Sequence, residues 1–266
     1  MLNIIKNSFE ITNKYIILAT PLILFSLISS LYLVFSLRGT FMAVAISLVL
    51  FFLMLGVFLA GWFYMLKQSI IFPDKEDTTP LIKEFPAGVG EYFLSVLGFL
   101  AIYFVIQLVF MLVTQQIGMK FIGDVGISPE AISNSIGNPE SLLGSLSAEQ
   151  VSKINKWNVL MFLTMTSASF IMMFSPQALV FKNKNPLKAF AEGVKSLFSR
   201  KFFSNLGLFL LILISYVALS LLTVFFGTNI VVHFVFTLIN FYYFVYVAVL
   251  LFNYYYKNFV KFDKTI

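Results

Sequence analysis

A few polar side chains interrupt the long apolar runs of this chain: Gln107, Thr164, Thr166, Ser167, Ser169, Ser175, Gln177, His233, Thr237 and Asn240. Amides, hydroxyls and an imidazole at that depth can act in two ways. Each can hydrogen-bond a neighbouring helix, commonly for under about 1 kcal/mol. Alternatively, some of them line a polar groove that admits a lipid headgroup, with Gln107, Ser175, Gln177, Asn240 and His233 as the candidates. Gln107 and Asn240 fall near mid-run, whereas His233 falls near an end and reads best as a packing or interfacial residue. As the runs are drawn below, none contains Asp, Glu, Lys or Arg, and an intramembrane ionisable relay of the kind ion-coupled pumps use is not expected. No nucleophile stands beside a base, and the single His has no acidic cluster around it. The absence of cysteine excludes disulfides and thiolate metal sites. The residue types therefore predict no catalytic, metal or cofactor site.

A second set carries charge. Asn185-Pro186 reads as a helix start, an N-cap residue with Pro at the first helical position. Leu187, Phe190, Ala191, Val194, Leu197 and Phe198 then recur at three- and four-residue steps as one apolar stripe. Lys188, Glu192, Lys195, Ser196 and Ser199 take the other face, and Arg200-Lys201 ends the segment. The pattern predicts a helix lying on a membrane surface that leads into one crossing it. Lys188, Lys195, Arg200 and Lys201 are candidate contacts to anionic lipid, worth about 1 kcal/mol per basic residue near the surface. The same residues also serve simple topology signalling, and both readings stand.

The elements that must position these residues follow from composition. The 266 residues are 59% hydrophobic, 18% aromatic and 11% charged, with mean hydropathy +0.92. Soluble domains carry about 25% charge; this set cannot cover a water-facing surface. The net charge of +6 does not point to nucleic acid, because the basic residues lie at the ends of apolar runs. Six runs are long enough to span: Tyr15–Leu37, Phe41–Leu66, Tyr92–Thr114, Trp157–Phe181, Phe202–Phe226 and Ile230–Tyr256. The first is too long, and lacks the cleavage site, for a removable signal. Gly56 and Ala60 give the second run a small-residue face. Residues 1–14, with Leu2, Ile5 and Phe9 on one side, predict an interfacial helix. Pro80 predicts another, with Pro86, Gly88 and Gly90 weakening it. Arg38-Gly39-Thr40 and Gly227-Thr228-Asn229 read as turns, and Tyr254, Tyr255 and Tyr256 as an aromatic belt.

Residues 115–156 form the one sizeable non-membrane segment. Helix starts at Ser128-Pro129-Glu130, Asn138-Pro139-Glu140 and the Ser147/Gln150 capping box predict a small helical cap. With six spans, 14 of the 18 Lys and Arg residues fall on the side of both termini. The other four, Arg38, Lys120, Lys153 and Lys156, fall opposite. The positive-inside rule then makes both termini cytoplasmic and the 115–156 cap extracytoplasmic.

The fold class predicted is thus an all-α integral membrane protein, one polytopic domain over 1–266. It has six transmembrane helices and amphipathic interfacial helices. Short internal matches suggest three helix-plus-hairpin repeats, 1–66, 79–181 and 185–256. Gln68-Ser69-Ile70-Ile71-Phe72 pairs with Gln177-Ala178-Leu179-Val180-Phe181, and Thr79-Pro80-Leu81 with Asn185-Pro186-Leu187. Coincident short matches are easy to find in apolar sequence, so chance is the competing account.

Ser175-Pro176 at the end of a run, followed by Asn185-Pro186-Leu187-x-Ala189 opening a basic amphipathic helix, resembles a broad group of six-span bacterial membrane proteins. The group includes the YciC-like proteins and the membrane domain attached to some glycerophosphoryl diester phosphodiesterases. The resemblance is sharp over about residues 174–210. It implies an integral domain of the bacterial inner (cytoplasmic) membrane and carries over no catalytic role, since the soluble phosphodiesterase barrel needs about 250 residues. Two function classes remain open. One is a non-catalytic bundle binding membrane lipids, a protein partner or a second copy of itself, in the cell envelope. The other is a permease or channel for a small or amphiphilic solute. An enzyme is not expected.

Overall fold

A computed structural model describes residues 1–36, 41–73, 80–127, 146–226 and 229–260. The expected turn at 38–40, the cap's helix starts at 128–130 and 138–140, and Gly227-Thr228 lie outside the described residues. Helix α1 (Leu2–Lys14) is followed by a short 3-10 turn, Ile16–Leu18, and by α2 (Ala19–Ser36) and α3 (Phe41–Ile71). Next come α4 (Pro80–Phe121), α5 (Ala148–Met172), α6 (Ser175–Phe181) and α7 (Pro186–Leu197). The last are α8 (Phe202–Phe226) and α9 (Ile230–Tyr255), extended by a π-helical turn over Tyr256–Val260. The described residues contain helices and no strand. Five helical stretches are long and apolar enough to cross a membrane, or six if the bent pair Leu2–Lys14 and Ile16–Tyr32 counts as one span. The chain is an all-α membrane protein.

Boundaries differ from the sequence expectation in several places, among them α3, which continues past Leu66 to Ile71. The chain does not pause between a surface helix at Pro80 and a third span: α4 runs unbroken from Pro80 to Phe121 through Pro86. Packing overrides the weak local propensity. An ideal Cβ on Gly88 would strike the Tyr64 side chain and lie 3.0 Å from the Ala60 carbonyl oxygen, so the missing side chain lets α4 close on α3. The predicted small face on α3 does receive α4, since Gly56 faces Leu97 and Gly61 faces the Phe85 ring. The fourth span, in contrast, is broken. α5 ends at Met172 and α6 begins at Ser175, with Pro176 in its first turn. Proline has no N–H to donate and its ring crowds the carbonyl four residues back, so the helix cannot pass through it undisturbed. A further difference is that α5 starts at Ala148, well before Trp157. The capping box predicted at its start is formed: Ser147 N–H donates to Gln150 Oε1 at 2.9 Å, and Gln150 N–H to Ser147 Oγ at 3.2 Å.

The chain divides into two compact units, one of residues 1–102 and 172–266, the other of residues 103–171. The second unit is held by Thr114 Oγ1 and Thr164 Oγ1 at 2.7 Å and by the Trp157 indole donating to the Gly123 carbonyl at 3.1 Å. Gly123 has φ +79, a left-handed conformation that ends α4's last turn.

In the first unit the core is gathered at one end of the helices. Tyr15, Leu18, Trp62, Met65, Leu66, Tyr92, Phe174, Leu197, Phe252, Tyr254 and Tyr255 are all buried there. Further along, α2, α3, α8 and α9 expose Leu27, Leu31, Ile46, Leu48, Val224, Phe225, Val231 and Phe234. Lipid-facing side chains need no protein cover, so hydrophobic burial concentrates where the helices meet water and one another. Tyr254 and Tyr255 are inside this core, stacked among Phe174, Phe181 and Phe259, and do not form the expected aromatic belt. Since 14 of the 18 basic residues flank these helix ends in the sequence, it is called the basic end below.

Candidate functional site

Helix α7 begins as its sequence dictates. Asn185 Oδ1 accepts from the backbone N–H groups of Leu187 and Lys188, both at 3.1 Å, and Pro186 takes the position whose N–H would otherwise be orphaned. Its other end is closed by a side chain the sequence reading did not single out. Asn205 of α8 is fully buried, and its Nδ2 donates to the carbonyls of Ser196 at 3.1 Å and Leu197 at 2.8 Å. Both are last-turn carbonyls, and that of Ser196 also accepts from the Ser199 N–H at 3.4 Å. Tyr254 OH donates to Asn205 Oδ1 at 2.9 Å and lies 3.0 Å from Ser204 Oγ, tying α9 to the same junction.

The face α7 gives to the protein is not the apolar stripe. Ala189, Gly193, Ser196 and Leu197 are buried. Gly193 lies against Ser175, where an ideal Cβ would come within 2.8 Å of the Ser175 backbone nitrogen. Pro186 seats against Gly98 of α4. Ser196, expected on the polar face, instead points at Tyr255 OH, 3.5 Å away. Of the predicted stripe only Leu197 is fully buried. Leu187 keeps 66% and Phe198 59% of its surface exposed, Ala191 is exposed, and Phe190 and Val194 are half-covered. Lys188, Lys195, Arg200 and Lys201 are exposed too, and Lys201 Nζ donates to Asn258 Oδ1 at 2.6 Å. α7 thus has three faces: small residues on protein, apolar residues uncovered, and charged residues beside them.

Helix α1 repeats the arrangement. It meets α2 at 80°. Ser8, Ile11 and Thr12 are buried, while Leu2 and Phe9 are exposed and Phe9 leans edge-on toward Tyr242 and Tyr246. The buried Asn253 of α9 donates to Asn7 Oδ1 at 3.0 Å and Ser8 Oγ at 2.8 Å, and Lys257 Nζ donates to Asn7 Oδ1 at 2.7 Å. Tyr15 OH then donates to the Phe72 carbonyl at 2.7 Å, pinning the start of the α2/α3 hairpin to its end. Tyr92 OH does the same for α4 and α6 through the Val180 carbonyl at 3.2 Å. Periodicity could not find Asn205 or Asn253, because each sits in an apolar run and acts only through helices distant in sequence.

The five groove candidates are placed differently. Ser175 and Gln177 share α6 and are sealed in the core. The Gln177 amide nitrogen donates to the carbonyls of Met173 at 2.9 Å and Phe174 at 3.2 Å. Ser175 Oγ is buried with no partner among the described residues. On α9, Asn240 donates to its own Phe236 carbonyl at 2.8 Å, and His233 is exposed. Gln107, within the 103–171 unit, lines a cleft of about 170 Å³ with Phe104, Leu108, Met111, Met161, Thr164 and Met165. Other hydroxyls at depth also bond one turn back, among them Ser167 to Leu163 and Thr237 to His233. That is the helix-satisfying behaviour expected of polar groups in hydrocarbon. No family model matches this chain, and no curated protein or solved structure is found similar to it.

Proposed function

We propose that this protein is a non-catalytic, lipid-binding component of the bacterial cytoplasmic membrane, with both termini inside. α1 and α7 lie in the inner headgroup layer as outriggers of the bundle. One observation carries the reading. α7 is fixed to the protein through its small face, and this leaves Leu187 and Phe198 uncovered beside Lys188, Lys195 and Arg200. Uncovered apolar side chains need an apolar medium, and ammonium and guanidinium groups next to them suit anionic headgroups. The basic asymmetry, 14 of 18 residues, supports the orientation. A kinship with the YciC-like group belongs to the same proposal and rests on Ser175-Pro176 and Asn185-Pro186-Leu187. The lipid reading is preferred to a permease because polar groups such as Ser167, Thr237 and Asn240 bond to their own helices.

The test is lipid selectivity of the full chain in bilayer nanodiscs of mixed phosphatidylglycerol and phosphatidylcholine, read with spin-labelled lipids. The native protein prefers the anionic lipid. Replacing Lys188, Lys195 and Arg200 with Gln lowers that preference several-fold, at up to about 1 kcal/mol per charge, and salt does likewise. A preference indifferent to charge and salt would overturn the reading and give this face to a protein partner or a second copy.

A further inference from the structure

Lys67 directly follows the apolar run Phe41–Leu66 but still stands inside α3, one turn before the helix ends at Ile71. Its ammonium donates to Tyr92 OH at 3.0 Å and lies 5.7 Å from the centre of the Tyr64 ring and 5.5 Å from that of Tyr92. On the same Tyr92 ring sits a second ammonium, Lys184, 5.3 Å from the centre. Lys184 pairs with Glu91 at 2.9 Å. Among the described residues no carboxylate lies within ion-pair distance of Lys67. The contrast with Lys14 is informative. That side chain also stands over a tyrosine, Tyr15, but its ammonium reaches the Pro73 carbonyl at 2.8 Å, just past the end of α3. Lys67 meets a phenol and two ring faces instead.

The charge count is simple. Among the described residues, two ammonium groups and one carboxylate leave one positive charge, half-covered, at the basic end. Tyr92 brings no charge to offset it: as a neutral phenol it accepts from the Lys67 ammonium at 3.0 Å and lies 3.2 Å from the Val180 carbonyl. A cation partly withdrawn from water is held most favourably with an anion beside it. An anion that matches one net charge and offers several acceptor oxygens is a phosphate ester. Lys184 and Glu91, with side-chain exposures of 58% and 33%, leave the cluster open to a ligand from outside.

We propose that Lys67 and Lys184, set around the Tyr92 ring, form a phosphate site that takes the phosphodiester of a membrane lipid. The proposal rests on the lipid-binding reading above but uses residues that α7 does not contribute. In it, Lys67 supplies the charge, Tyr92 holds the Lys67 ammonium in place, and Glu91 holds Lys184 as the outer rim. The chemistry is shared with free phosphate, so both sources are tested.

The experiment is native mass spectrometry of the detergent-purified full chain titrated with phosphatidylglycerol, and separately with inorganic phosphate. One lipid is retained at low ratio by the native protein. Lys67→Met, which keeps the chain length and loses the charge, weakens that first binding step about tenfold or more, and Tyr92→Phe weakens it less. Lys67→Arg keeps it, which separates loss of the site from loss of the fold. Gln in place of Lys188, Lys195 and Arg200 leaves this single step unchanged, so its failure is distinguishable from failure of the α7 reading. Phosphate bound instead of lipid, with the same Lys67 dependence, would support the site and assign it to a soluble anion. First-step binding unchanged in Lys67→Met, or no binding of either probe, would overturn it.

Discussion

Gly193→Ala tests the docking of α7 with a single methyl group. In an open helix this change adds about 1 kcal/mol of stability, because glycine loses more backbone freedom on folding. Here the ideal Cβ would lie 2.7 Å from Ser175 Oγ and 2.8 Å from the Ser175 Cα and backbone nitrogen. Carbon contacts are comfortable at about 3.5–4.0 Å. The hydroxyl could rotate away, but the nitrogen and Cα belong to the backbone of α6, so the two helices must part by roughly 1 Å. Overpacking of this kind costs about 1–3 kcal/mol, and with backbone as the obstacle the upper part of that range applies. Set against the helix gain, a net loss of about 1–2 kcal/mol is expected, or several degrees in the thermal midpoint. Gly90 and Gly207 are the controls, since nothing lies within 4 Å of a Cβ built on either; their alanine variants hold or gain stability. The assay is thermal unfolding of the detergent-purified chain by tryptophan fluorescence. The chain has no native cysteine, so Ala189→Cys, on the buried face of α7, gives a second readout: its thiol becomes reactive when Gly193→Ala is added. A Gly193→Ala protein as stable as the Gly207→Ala protein, with residue 189 still protected, would refute the close approach of α6 and α7.

Two further outcomes are expected. Ser175→Ala removes a buried hydroxyl that has no partner among the described residues; stability is unchanged or rises, by up to about 1–3 kcal/mol, and a fall of several degrees would mean that the hydroxyl is engaged after all. For topology, Asn3→Cys and Ser152→Cys place single thiols at exposed positions; a membrane-impermeant reagent applied to intact cells labels only residue 152, and labelling of residue 3 would invert the orientation.

Sequence alone determined what depends on local composition. Apolar runs of sufficient length decide which segments can cross a membrane, because hydrocarbon accepts little else. The Asn185-Pro186 cap and the Ser147/Gln150 box were legible for the same reason: each satisfies hydrogen bonds within one helical turn. Only the tertiary structure decided which face of an amphipathic helix meets protein. Periodicity marked the apolar stripe of Leu187, Phe190, Val194 and Phe198 as a membrane-surface face but did not show where α7 docks; its backbone closes on α6 through Ala189, Gly193 and Ser196, small residues whose value lies in what they let approach. The tertiary structure also decided that Pro86 and Gly88 stay helical, since α3 supplies the contacts that local propensity lacks. Asn205, Asn253 and Lys67 gained their roles the same way. Nothing in their local sequence marks them, and their partners, the end of α7, Ser8 of α1 and the Tyr92 ring, come from helices brought beside them by folding.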